Sequence, residues 1–197
     1  MNMINVSLIG WLHTFASLAA LVIGAFVLMR PKGTRQHRLI GWVYAGALLV
    51  AGFTAFFIYR FDIQFVPFKV GPNIFGLFHY ETLFTLAVLA LALFAARRQR
   101  HAFSAYAHPA SMLLAYYMVV GGFINELFVR VAPLRRIAEA QLTGQAANVA
   151  QAPIARATHS AAFIAFVLLL VWFMVAVARR RRRARSTGGV AAVVPTP

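Results

Sequence analysis

Gln36–Tyr44, QHRLIGWVY, marks the point where a basic loop, Arg30 to Arg38, runs into a long apolar segment. His37, Gly41 and Tyr44 fall at i, i+4 and i+7, so on a helix they share one face. A histidine at a membrane boundary, with a glycine one turn later, can coordinate or hydrogen-bond something large lying against the helix. The same residues also suit a snorkelling interfacial histidine and a glycine for helix packing. The first reading gains weight because other apolar segments of the chain also carry histidines near their starts.

The stretch belongs to a chain of 197 residues that is 61% hydrophobic, with a mean hydropathy of +0.74 and only 12% charged residues. That composition is expected of a polytopic membrane protein. Cysteine is absent, which excludes disulfides, iron–sulfur clusters and thiolate metal sites. A net charge of +15 in a soluble protein would point to nucleic acid. Here the charges sit in loops between apolar runs, the pattern that encodes membrane topology, and no nucleic-acid partner is expected.

Five apolar segments are long enough to cross a bilayer as helices of about 20 residues. They are Ile4–Met29, Leu39–Tyr59, Ile74–Ala96, Phe103–Val129 and Ala157–Ala178. The first lacks a basic n-region and an A-x-A site, so it is expected to be a retained span. Thirteen of the 19 basic residues fall on one side of the membrane: Arg30, Lys32, Arg35 and Arg38; Arg97, Arg98 and Arg100; Arg179 to Arg183 and Arg185. That side is expected to be cytoplasmic, which puts the N-terminus outside and the C-terminus inside. All four acids, Asp62, Glu81, Glu126 and Glu139, fall toward the outer side.

The outer loop Arg60–Asn73, with Pro67, Gly71, Pro72 and several aromatics, is expected to lie at the interface. In the second outer loop, Pro133 can open a short surface helix whose apolar face is Leu134, Ile137, Ala138 and Leu142. Residues 1–183 read as one transmembrane domain. Residues 184–197 read as a disordered cytoplasmic tail. The arginine run before the tail is a stop-transfer anchor and a contact for anionic lipid.

Six histidines punctuate this frame. His13, His79 and His159 open spans 1, 3 and 5 on the outer side; His37 and His108 open spans 2 and 4 on the inner side; His101 lies in the inner loop as a solvated or interfacial residue. By the predicted boundaries, His13 and His79 lie roughly 14 Å and 8 Å into their helices, at about 1.5 Å per residue. Polar side chains at such depth need partners, and a functional role is their default reading. Ala16, Ser17, Ala20 and Gly24 follow His13 on its face and either leave room for a flat ligand or allow close helix packing. His108 is followed by Met112, Ala115 and Tyr116, with Pro109 suited to an early helical position.

In an up-down four-helix bundle, spans 1 and 3 are diagonal, as are 2 and 4. Two histidines meeting across a diagonal can ligate a haem iron from both faces. The pairs are then His13 with His79 outside and His37 with His108 inside, with His159 as an alternative outer ligand. Filling both axial positions favours electron transfer over oxygen chemistry. Lys32, Arg35 and Arg38 are placed to meet inner propionates. A competing use is zinc or copper on His13, His79 and His159 with Glu81 or Glu126. Glu81 and Glu126 are also candidate proton or quinone contacts, or simply interfacial acids. No phosphate loop, dinucleotide glycine pattern, HExxH or nucleophile elbow is present.

HRLIGWVY, preceded by Lys32 and Gly33, resembles the HRxxGxxY motif of a bacterial family of predicted multi-pass membrane proteins, one of the domains of unknown function. His13 early in the first span, and His108 with Met112 as an HxxxM pair, match two further features of that family over roughly residues 10–130. The resemblance implies a fold and a membrane location but no reaction. In pattern, the arrangement is also similar to the cytochrome b561 class, in which four consecutive core helices carry one histidine pair per membrane side.

The expectation is therefore an all-α, polytopic helix bundle of the bacterial cytoplasmic (inner) membrane, with a four-helix core plus a fifth span. Its leading function is that of a protein holding one or two b-type haems for electron transfer, with quinone or a larger membrane complex as partner. The alternatives are a cofactor-free accessory subunit of such a complex, and an outer-face copper or zinc protein.

Overall fold

Residues 7–58, 64–70, 73–98, 102–142, 149 and 152–190 are described by a computed structural model. Among the described residues six helices form, in chain order α1 (Leu8–Met29), α2 (Arg35–Ala55), α3 (Leu77–Arg97), α4 (Ala102–Arg130), α5 (Ala132–Ala140) and α6 (Pro153–Val190). All except α5 are long and apolar enough to cross a membrane, and the chain is a multi-pass helical membrane protein. Large apolar side chains such as Trp11, Phe15, Trp42, Phe53, Phe84, Phe94, Phe163 and Leu168 point outward. Water would not tolerate so much exposed apolar surface, whereas lipid provides its natural contact.

Local chemistry sets the helix starts. The Ser7 hydroxyl accepts from the Gly10 N–H, and the Thr34 hydroxyl accepts from the His37 N–H, each satisfying a donor in the first turn. Gly33, with φ 84°, makes the left-handed turn between α1 and α2 that other residues avoid. At the end of α1 the Lys32 ammonium donates to the Val27 and Leu28 carbonyls, both at 2.9 Å.

The helices pack as an antiparallel ring. α1 lies along α2, α3 along α4, and the weaker α2–α3 and α1–α4 contacts close the four. The diagonals are then α1/α3 and α2/α4, as the alternating spans require. α6 lies outside the ring against α4. Ala20, Tyr44, Ala45, Leu48, Val88, Leu89 and Ala115 form the central core. Gly24 lets two tyrosines into it: a Cβ there would lie 2.5 Å from the Tyr116 ring and 3.0 Å from the Tyr44 ring. The small-residue stripe of α1 therefore serves close packing at this level. A second cluster, Ile124, Phe128, Ala138, Ala152 and Ala155, holds α5 beneath the ends of α4 and α6.

Several boundaries differ from expectation. The first outer loop is built as two antiparallel strands, β1 (Gln64–Val70) and β2 (Asn73–Gly76), with an irregularity between Gln64 and Phe68. Pro67, which cannot donate to a strand ladder, falls within that irregularity. Because β2 takes Ile74–Gly76, α3 starts at Leu77, and His79 is its third residue rather than a deeper one. α1 likewise starts at Leu8, which leaves His13 about 7.5 Å from the first helical residue rather than 14 Å. α5 matches the surface helix expected after Pro133, but only Leu134, Ala138 and Leu142 of its apolar face pack inward, and Ile137 is exposed. α6 continues through the arginine run to Val190, past the point where the tail was expected to leave the helix. His101, Asp62 and residues 191–197 lie outside the described residues.

The glycines make a direct test. Gly24→Ala is expected to lower stability by about 1–3 kcal/mol, because the tyrosines must move. Gly46→Ala, with open space around its added methyl, should leave stability unchanged or raised by up to about 1 kcal/mol. Thermal unfolding of the two variants in the same detergent measures the contrast.

Candidate functional site

Two of the intramembrane histidines are oriented by backbone carbonyls of a neighbouring helix. His13 of α1 donates from Nδ1 to the Ala51 carbonyl of α2 at 2.9 Å, with the Thr54 hydroxyl 3.3 Å away. His108 of α4 donates from Nδ1 to the Ala92 carbonyl of α3 at 3.0 Å. A carbonyl can only accept, so Nδ1 carries a proton in each ring, and in the neutral form the lone pair is then on Nε2. The Ser17 hydroxyl lies 3.5 Å from His13 Nε2. A ring nitrogen fixed on a carbonyl, with the other left to bind, is how proteins orient imidazoles toward metal centres.

The other two histidines occupy equivalent places at helix starts. His37 is the third residue of α2 and His79 the third of α3. The ring was thus built from two antiparallel pairs, α1/α2 and α4/α3, with matching histidine positions at opposite ends. In each pair one histidine is fixed on the partner helix and one stands in the first turn of that partner. No sequence repeat underlies this relation.

The two first-turn histidines differ in what they touch. His79 Nδ1 accepts the Gly76 N–H at 3.1 Å, which closes the start of α3, and its ring lies 6.5 Å from Phe56. In that tautomer the His79 proton is on Nε2. His37 Nδ1 is buried with no protein partner. The ring sits beside the Val27 carbonyl, near Lys32 and His108. Two turns along the same face, the Tyr44 hydroxyl is also buried without a partner. Between them, apart from the adjacent residues and the backbone of α2 itself, no heavy atom lies within 4 Å of the position a Cβ would take on Gly41. The HRxxGxxY stretch thus presents two unmet polar atoms on either side of an open step, with His108 across the diagonal.

Basic side chains surround this end. Lys32 caps α1 and lies over the Phe173 ring of α6, 5.1 Å from its centroid. Burial, and then the charge of Arg180, push its ammonium below the usual lysine range. Lys32 is therefore committed to α1 and α6, while Arg35 and Arg38 remain exposed on α2.

His159, Glu126 and Glu139 have structural partners. His159 Nε2 meets the Asn125 side-chain oxygen at 2.9 Å, joining α6 to α4. Glu126 pairs with Arg130, and Glu139 with Arg135, on exposed helix surface. Among the described residues, no three His, Asp or Glu side chains gather around a common point, so the outer-face zinc or copper arrangement of His13, His79 and His159 is not assembled. Sequence pattern located the histidines, but not Thr54, Asn125 or the Ala51 and Ala92 carbonyls. Backbone acceptors carry no residue-type signal, and an Asn–His pair 34 positions apart has none either.

Residues 10–152 match the family model described as "Predicted membrane protein (DUF2306)". The chain belongs to that family. No curated protein and no solved structure matches it.

The Asn125–His159 bond is testable by a double-mutant cycle. Asn125→Leu and His159→Leu, alone and together, should show a coupling of about 0.6 kcal/mol, and at most about 1.7, the range found for hydrogen bonds between membrane helices. Reversible unfolding in mixed micelles gives the four stabilities required.

Proposed function

We propose that the chain is a b-type haem protein that transfers electrons at the membrane, with its principal haem held at the basic end by His37 and His108. The observation that carries this is the face His37–Gly41–Tyr44: two buried, unpartnered polar atoms flank an open step, opposite an imidazole already fixed on Ala92. His37 of α2 and His108 of α4 would hold the haem through their imidazoles, and it would supply reversible one-electron chemistry there. The chain's own contribution is orientation and exclusion of water. The Ala92 carbonyl sets the His108 tautomer, and the apolar core below Tyr44 keeps solvent out.

At the opposite end His13 is presented in the same way as His108. A second haem on His13 and His79 requires His79 to give up its bond to the Gly76 N–H, since that bond places the ring proton on Nε2. Were both pairs filled, electrons would have a route between the two faces. The basic end faces the cytoplasm of a bacterial inner membrane by its excess of Lys and Arg, and quinone or a larger membrane complex is the partner class for the exchange.

Reduced-minus-oxidised spectra of purified variants test this. His108→Ala and His37→Ala should each abolish the basic-end signal, and Gly41→Leu should diminish it by occupying the open step while leaving both imidazoles in place. His159→Ala should leave the spectrum unchanged. Spectra insensitive to His37, Gly41 and His108 would refute the assignment.

A further inference from the structure

The arginines of α6 are not all alike. Arg181 turns back over the Tyr106 ring of α4, 5.9 Å from its centroid. Arg179, Arg180 and Arg183 instead line a shallow groove together with Trp172, Val175 and Ala176. The floor is apolar over its first turn, where Trp172 and Val175 are exposed, and cationic over the next two. That change of character falls where a bilayer passes from acyl chain to headgroup, and Trp is a residue of that boundary.

Among the described residues, the acidic side chains Glu81, Glu126 and Glu139 fall toward the other end. Arg180 also acts on the neighbouring Lys32 ammonium, whose Nζ already faces the carbonyls of α1 and the Phe173 ring. An anion seated among these cations relieves their mutual repulsion, and guanidinium groups match phosphate oxygens with paired N–H donors.

We infer that the groove formed by Trp172, Val175, Ala176, Arg179, Arg180 and Arg183 is a binding site for one anionic phospholipid. Its phosphodiester lies on the arginines and its acyl chain along Trp172 and Val175. The site is independent of any haem. It is more specific than a general attraction of basic loops to anionic membranes, because it requires an apolar wall and guanidinium groups on one face of one helix.

Native mass spectrometry of the purified full chain tests it, with phosphatidylglycerol and phosphatidylcholine added in equal amounts, and separately with inorganic phosphate. One phosphatidylglycerol should be retained in preference to phosphatidylcholine. Arg179→Gln with Arg180→Gln should weaken that retention about tenfold or more, while Arg35→Gln with Arg38→Gln, removing equal charge at the same end, should not. Trp172→Ala should weaken it without a change of charge. Equal retention of the two lipids, equal losses in the two double variants, or phosphate binding with no lipid preference would each overturn the proposal.

Discussion

An imidazole in hydrocarbon needs a hydrogen-bond partner, and in this fold the partner is a carbonyl of another helix. His13 finds Ala51 and His108 finds Ala92. Those carbonyls already accept within their own helices, so each histidine adds a bond across the interface at little cost to the helix it touches. The bonds fix the rotation of α1 against α2 and of α4 against α3. Small residues then let the pairs close: Ala16, Ala20 and Gly24 on α1, Ala92 and Ala95 on α3. The same two bonds decide which nitrogen of each neutral ring keeps its lone pair.

The two ends of the ring are built on one plan but finished differently. His79 stabilises the first turn of α3, where Gly76 offers no capping side chain. At the start of α2, Thr34 supplies that cap, and the His37 ring nitrogen Nδ1 is left unpartnered. A threonine in one place and a glycine in the other thus separate a histidine bonded to its own helix start from one whose Nδ1 is not. Tyr44 strengthens the contrast, since its hydroxyl lies on the His37 face and finds no protein partner.

Much of the architecture was legible in the sequence because hydrocarbon enforces it. Five apolar segments of helix-spanning length, alternating with basic loops, leave few arrangements open, and the diagonals follow from the alternation. The short helix after Pro133 was legible from its amphipathic spacing. Depth was not. Ile74 and Phe75 are apolar enough to read as membrane span, yet they pair with Lys69 and Phe68 in a hairpin, which moves His79 to the start of its helix. Hydropathy measures transfer to lipid and cannot distinguish a strand from a helix over a few residues. Predicted depth favoured His13 and His79, whereas hydrogen bonding favours His37 and His108, and a bond from a ring to a distant carbonyl leaves no mark in sequence.

The central claim is that the interior of this bundle binds haem through imidazole pairs. It is tested most directly by extracting and quantifying the haem of the wild-type protein, purified in detergent from haem-replete cells, alongside its dithionite-reduced spectrum. The account predicts a sharp low-spin spectrum and at least one b-type haem per chain. A second equivalent would mean that His79 releases Gly76 to complete the opposite pair. A colourless chain without extractable haem would contradict the account and leave the four histidines as bonds between helices.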